Sequence, residues 1–177
     1  AILIFAWSLK GMGDALEIST FVKNIVGSNT SASVILPAIL FVVAVFLSFS
    51  TGTSWGTFAI LVPIAIAMFP GSENLQMMII SVSAVLAGAV CGDHISPISD
   101  TTVMSSAGAQ SNHINHVTTQ MQYAAVVAVI SFIGYIIAGF VHIWWVVLGI
   151  SLVLLLITLT VIKKISSGKG EDVESRA

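Results

Sequence analysis

Charge is what this sequence has least of. Of 177 residues only 8% are Asp, Glu, Lys or Arg, six of them basic and eight acidic, against roughly a quarter in soluble domains. That scarcity excludes a water-facing surface of ordinary polarity, and no nucleic-acid partner is expected. Cysteine occurs once, at Cys91, so an intrachain disulfide is excluded and the redox compartment cannot be read; a small packing residue is its plain role. With no thiolate cluster and no repeated histidine pattern, zinc and copper are poor candidates. The opening stretch, Ala1 followed by ILIFAWSL, lacks the basic start and cleavage site of a signal peptide and is too short for a whole span. It reads as a helix cut by a fragment boundary.

Apolar residues fill the space that charge leaves. They make up 56% of the chain, and the mean hydropathy is +1.03. Several runs approach the roughly 20 residues needed to cross a bilayer core of about 30 Å. The expected class is all-α: a polytopic membrane protein, helix against helix in lipid, with the bilayer as its first partner.

Lys10, Gly11, Asp14, Glu17 and Lys23 alternate with apolar residues up to Val26, as in an interfacial amphipathic segment, and SNTSAS (Ser28–Ser33) is a polar connection. The chain is apolar from Val34 to Phe49, reads STGTSWGT from Ser50 to Thr57, and is apolar again to Phe69. A single helix over Val34–Phe69 would be about 54 Å long, too long for one crossing. The chain therefore crosses twice or dips in and returns. The second arm is short, which favours a re-entrant hairpin with STGTSWGT at its tip. PGSEN (Pro70–Asn74) is a turn, Leu75–Cys91 is apolar, and Ser111–Gln122 is a polar connection. Tyr123–Val141 and Trp144–Ile162 are two tightly joined antiparallel spans, closed by Lys163 and Lys164. Those lysines place that end in the cytoplasm by the positive-inside tendency.

The two interruptions of the apolar runs carry the chemistry. In CGDHISPISDTT (Cys91–Thr102), Pro97 has no amide hydrogen, and its ring would clash with the carbonyl of Asp93 in a continuous helix. A break is predicted that frees the Asp93 carbonyl along with its carboxylate. Ser99 or Asp100, followed by Thr101 and Thr102, is a good N-cap for a new helix at Val103. Paired half-helices at depth are a recurrent way for transporters to build ion sites. Asp93 and Asp100 are the candidate ion-binding and proton-carrying residues, with Thr53, Ser54, Ser96, Thr101 and Thr102 as neutral oxygen ligands. Such hard donors suit an alkali or alkaline-earth cation. His94 either carries protons or merely holds one of the aspartates; His113, His116 and His142 fall in connections and read as solvated. The plainer alternative is a misplaced span whose aspartates are interfacial, with Gly52 and Gly56 serving only close packing.

The strings TGTSWGTFAILVPIAIA (Thr51–Ala67) and GDHISPISDTTVMSS (Gly92–Ser106) resemble signature segments of the NhaC family of Na+/H+ antiporters. The resemblance extends over about residues 33–123 and more loosely over the last spans. It implies a secondary transporter of the cytoplasmic membrane exchanging Na+ for H+, built from two inverted repeats with re-entrant hairpins and broken helices. Residues 1–162 would then be the C-terminal repeat of the transporter domain, and 163–177 a disordered cytoplasmic tail. The N-terminal half of the same polypeptide would supply the pseudo-symmetric partner, and a homodimer is compatible. No cofactor is implied beyond the transported Na+ and H+, and no enzyme activity. Some relatives exchange organic acids, such as malate for lactate, with ions coupled, so that exchange is an alternative.

A single carboxylate that holds Na+ when ionised and a proton otherwise would couple the two ions by competition. Two other classes use polar groups at depth. An intramembrane aspartyl protease needs two facing carboxyls, but its G-x-G-D pattern is absent, since Val90 stands where the first glycine would be. A passive channel would not drive Na+ uphill at the expense of protons.

Overall fold

The structure, a computed structural model, describes residues 12, 15, 30–69 and 75–174. The amphipathic stretch after Leu9, apart from Met12 and Ala15, and the PGSEN turn lie outside the described residues. No strand occurs among the described residues, which form six longer helices: α1 (Thr30–Thr51), α2 (Ser54–Met68), α3 (Leu75–Ile95), α4 (Asp100–Gly108), α5 (His113–Phe140) and α6 (Trp144–Glu174). Four are long and apolar enough to cross a membrane, over Val34–Thr51, Leu75–Ile95, His113–Phe140 and Trp144–Lys164. α2 has 15 residues, about 22 Å of helix, which is short of a bilayer core.

Packing directions follow from the close approaches. Gly88 of α3 faces the Phe41 carbonyl and Ala44 of α1, and Gly92 faces Val45, Ser48 and Phe49 one turn further on. The numbers rise together, so α1 and α3 run parallel. The glycines let the backbones meet, as small residues do in membrane helix pairs. α5 runs the opposite way: Tyr135 packs tilted against Phe41 with ring centroids 5.4 Å apart, its hydroxyl donates to the Ser83 carbonyl at 3.0 Å, and Gly139 meets Val34. α6 turns back along α5 after Val141–Ile143, with Gly134 against Ser151. None of the residues from Trp144 to Lys164 is buried, and this apolar face suits lipid. The core lies between α1, α2 and α3, where Leu36, Leu40, Ala44, Leu61, Ala65, Phe69, Val85 and Ala89 cluster.

Four boundaries differ from the sequence expectation. The first interruption is narrow. Only Gly52 and Thr53 leave the helix, because Ser50 and Thr51 fold their hydroxyls back onto the Leu47 carbonyl, at 2.9 Å each, and keep α1 going. The helix after Pro97 starts at Asp100 rather than Val103. It ends with Gln110 at φ 52°, where Ser111 N donates to the Ser106 carbonyl at 3.0 Å and Gln110 N to the Ala107 carbonyl at 3.1 Å. This is a Schellman closure with glutamine in the usual glycine position. The polar stretch from His113 belongs to α5. Asn112 starts that helix, its side chain accepting from Ile114 N at 3.1 Å and Asn115 N at 3.2 Å. α6 continues through the residues of the expected tail as far as Glu174.

Candidate functional site

Parallel packing brings the end of α1 and the end of α3 side by side, so the two interruptions meet. Gly52, at φ 67°, is the contact. A Cβ there would stand 2.9 Å from both the Ile98 carbonyl oxygen and Ile98 Cγ1. Only a residue without a side chain fits both the left-handed backbone and the approach. Ser96 Oγ ties the same join by donating to the Phe49 carbonyl at 2.7 Å, which satisfies one of the last carbonyls of α1.

Asp93, one turn before the break, is 5% exposed. Its Oδ2 accepts from Ser54 Oγ at 2.9 Å and its Oδ1 from Ser99 Oγ at 2.6 Å. Ser54 is the first residue of α2 and Ser99 occupies the N-cap position of α4. The carboxylate is therefore held by the N-terminal residues of two short helices, the ends that favour negative charge. Ser99 makes no side-chain cap bond to its own helix; its hydroxyl is engaged with Asp93 and, at 2.7 Å, with Thr101 Oγ1. A hydroxyl has one donor and two acceptor sites. Each serine can thus donate to an ionised carboxylate, accept from a protonated one, or offer a lone pair to a cation.

The backbone of the break is tighter than expected. Pro97 removes the usual donor to the Asp93 carbonyl, but Ser96 N takes its place at 3.2 Å, and Ser99 N donates to the Ser96 carbonyl at 3.3 Å. The Asp93 carbonyl is therefore occupied, and the buried carboxylate is what that residue contributes to the site. Thr102, buried, donates to the His94 carbonyl at 3.3 Å and closes the turn from the α4 side.

Of the residues singled out in the sequence, Asp93, Ser54, Ser96 and Thr102 come together, with Thr101 linked through Ser99. Thr53 is half-buried and its carbonyl accepts from Thr57 Oγ1 at 3.1 Å. Asp100 is exposed, its Oδ1 accepting from Thr101 N at 2.8 Å on the first turn of α4. His94 is also exposed, its Nδ1 within 2.9 Å of the Val90 carbonyl on its own helix. Neither is bonded to Asp93. The facing carboxyl pair that a protease requires is not formed among the described residues.

Two residues escaped the sequence reading. Ser99 was visible only as a cap, whereas its side chain binds Asp93. His113 falls in a stretch expected to be solvated, yet it is half-buried, with Nε2 2.8 Å from the Pro97 carbonyl and Nδ1 3.0 Å from Ser106 Oγ. Nothing local in the sequence signals this contact. Ser48 and Ser81 are fully buried with unpartnered hydroxyls. Among the described residues no group of three or more His, Cys, Asp and Glu converges. The donors at Asp93 are oxygens, suited to a hard cation held with few protein charges.

These features define a class: polytopic helical membrane proteins carrying an ionisable group where two helices are interrupted. The model of the Na+/H+ antiporter family matches residues 1–140, and the chain belongs to that family. It is 49% identical over 142 residues, 80% of the chain, to an uncharacterized protein of Haemophilus influenzae, whose length is covered to 27%. It is 34% identical over 111 residues, 62% of the chain and 23% of the relative, to the malate-2H+/Na+-lactate antiporter of Bacillus subtilis. The chain thus spans about a quarter of the length of these curated relatives. No solved structure matches.

Proposed function

We propose that the chain is part of a secondary active transporter that exchanges Na+ for H+ across the cytoplasmic membrane, with Asp93 as the group for which the two ions compete. One observation carries the reading: a buried carboxylate has both oxygens on serine hydroxyls, and those serines come from two separate helix interruptions. With Na+ bound, Asp93, Ser54 and Ser99 supply oxygens, and Ser96, Thr53, Thr101 and Thr102 line the approaches. With a proton bound, the serines accept or donate as needed, and the site is neutral. One carboxylate cannot hold both ions, so the coupling needs no separate gate.

The short α2 supports a re-entrant hairpin, and the parallel run of α1 and α3 is compatible with it. α1 and α2 return the chain to the side from which it came, and α3 then repeats the direction of α1. An upstream inverted repeat would place a matching pair of breaks opposite this one. Lys163 and Lys164 at the end of the last apolar run favour a cytoplasmic C-terminus.

The test is Na+-dependent proton movement in everted vesicles containing the full-length transporter. Asp93→Asn abolishes it at undiminished expression; exchange at the wild-type rate overturns the assignment.

The name of the Bacillus subtilis relative favours a second reading, an ion-coupled organic acid exchanger. No Lys or Arg lies between Val34 and Ile162, so the basic side chains this segment can offer an organic carboxylate are the imidazoles of His94, His113, His116 and His142. Such a substrate would meet one of these, a bound cation, or groups elsewhere in the polypeptide. Counterflow of labelled malate or lactate, present or absent at fixed Na+ and pH, separates the two readings.

A further inference from the structure

We infer that His113 is a positioning residue for the ion site, pinning the Pro97 turn so that Ser99 stays on Asp93; this rests on the reading of Asp93 as the ion-competing group. The turn of Ser96–Ser99 has little to hold it from within. Its two backbone hydrogen bonds are long, 3.2 and 3.3 Å. Pro97 offers no donor, and the Ile98 side chain is 63% exposed. From the α1 side the turn is fixed by Ser96 on the Phe49 carbonyl at 2.7 Å and by the Gly52 contact. From the opposite side its hydrogen bond comes from α5, where His113 Nε2 reaches the Pro97 carbonyl at 2.8 Å.

A carbonyl oxygen only accepts, so Nε2 carries the hydrogen. The other ring nitrogen lies 3.0 Å from Ser106 Oγ, which is itself 2.9 Å from the Val103 carbonyl. With Nε2 donating to the Pro97 carbonyl, Nδ1 of the neutral ring takes the single Ser106 hydroxyl hydrogen in place of the Val103 carbonyl, and the ring is held at both nitrogens, once to the turn and once to α4. Its own backbone position is equally determined. Asn112 caps α5 immediately before it, and the Schellman closure at Gln110 brings the chain back along Ser106. His113 therefore joins the start of α5, the body of α4 and the carbonyl two residues before Ser99. Ser99 Oγ in turn makes the 2.6 Å bond to Asp93. Without the ring, the Pro97 carbonyl loses its partner and the turn is free to rotate Ser99 away.

The experiment uses the full-length transporter and two readouts. Amide hydrogen exchange over residues 96–99 reports the pin itself. The Na+ dependence of transport reports its effect on the site. His113→Ala should speed exchange of the Ser96 and Ser99 amides at least tenfold and raise the apparent KM for Na+ several-fold, with the maximal rate within twofold of wild type. His113→Gln, whose amide can also donate to the Pro97 carbonyl, should restore the KM. Unchanged exchange in His113→Ala overturns the pin. Faster exchange at unchanged KM overturns its link to the ion site, as does a KM that Gln does not restore. Asp93→Asn runs in parallel: if it transports normally, the assignment of Asp93 falls and the link to the ion site falls with it, while the exchange data still decide whether His113 holds the turn.

Discussion

Replacing Gly52 by alanine adds one methyl group at the point where the two interruptions touch. The backbone there sits at φ 67°, and a non-glycine residue in the left-handed region costs about 1–2 kcal/mol. The new Cβ would also stand 2.9 Å from the Ile98 carbonyl oxygen and 3.0 Å from its carbon, and forcing extra volume into a packed contact costs about 1–3 kcal/mol. The sum is about 2–5 kcal/mol. Relief requires the tip to move away from the Pro97 turn. Ser54, two residues beyond Gly52, then draws off Asp93. The expected result is a loss of that size in reversible unfolding of the full-length protein in mixed micelles, together with a raised KM for Na+. Ile98 is also touched at Cγ1, 2.9 Å away, but trimming it in Gly52→Ala/Ile98→Ala leaves both the carbonyl clash and the backbone strain, so recovery should stay small. Gly108→Ala is the control: a Cβ there meets nothing within 4 Å, and a helical alanine gains up to about 1 kcal/mol over glycine. If Gly52→Ala unfolds within about 0.5 kcal/mol of wild type, the range of an ordinary surface change, or if Ile98→Ala rescues it fully, the backbone contact is not what joins the two breaks.

Three further expectations concern the site and its frame. Ser54→Ala and Ser99→Ala each remove one oxygen from the proposed Na+ shell, an interaction of the size of a hydrogen bond to a charged group, about 1.5–3 kcal/mol, and should raise the KM for Na+ roughly 10- to 150-fold; transport kinetics in vesicles check this, and an unchanged KM in both would count against hydroxyl ligation at Asp93. Asp100→Asn removes an exposed charge from the first turn of α4, about 0.3–1 kcal/mol, and should leave Na+-dependent proton movement in place, whereas its loss would bring Asp100 into the site. If Na+ and H+ compete for one carboxylate, lowering the pH should raise the KM for Na+ by up to about tenfold per unit at constant maximal rate; a falling maximal rate at fixed KM would contradict competition.

The spans were legible because apolar length in a bilayer leaves few alternatives, and the second break because proline states its own consequence. Asp93 stood out as a carboxylate in an apolar run, and Ser54 as a hydroxyl in the other interruption. The pairing of Asp93 with Asp100 was not legible. Seven positions apart, they lie on opposite sides of a turn, and only the fold reveals that one is enclosed while the other stands exposed on the first turn of α4. The width of the first break was overestimated because serine and threonine can either end a helix or fold back on it, and Ser50 and Thr51 do the latter. Gln110 carries no turn signal and takes the left-handed position through the Schellman bonds around it. The parallel course of α1 and α3, like the bond from His113, depends on tertiary contacts with no local signature.

The glycine spacing in α3 sets a limit on how this protein can move. Gly88 and Gly92 each receive a carbonyl of α1, Phe41 and Val45 in turn, like two teeth in a keyway. Sliding α3 along α1 by one turn, about 5.4 Å, would bring Ala84 onto the slot that Gly88 fills, where its Cβ would strike a carbonyl, or in the other direction push the break at Ser96 into the slot of Gly92. A full-turn slide between the two long helices is therefore opposed by their own packing. In an exchanger of the kind proposed, the two would travel as one beam, and access to Asp93 would change through the short arms, α2 and α4, or by rocking that beam against the rest of the polypeptide.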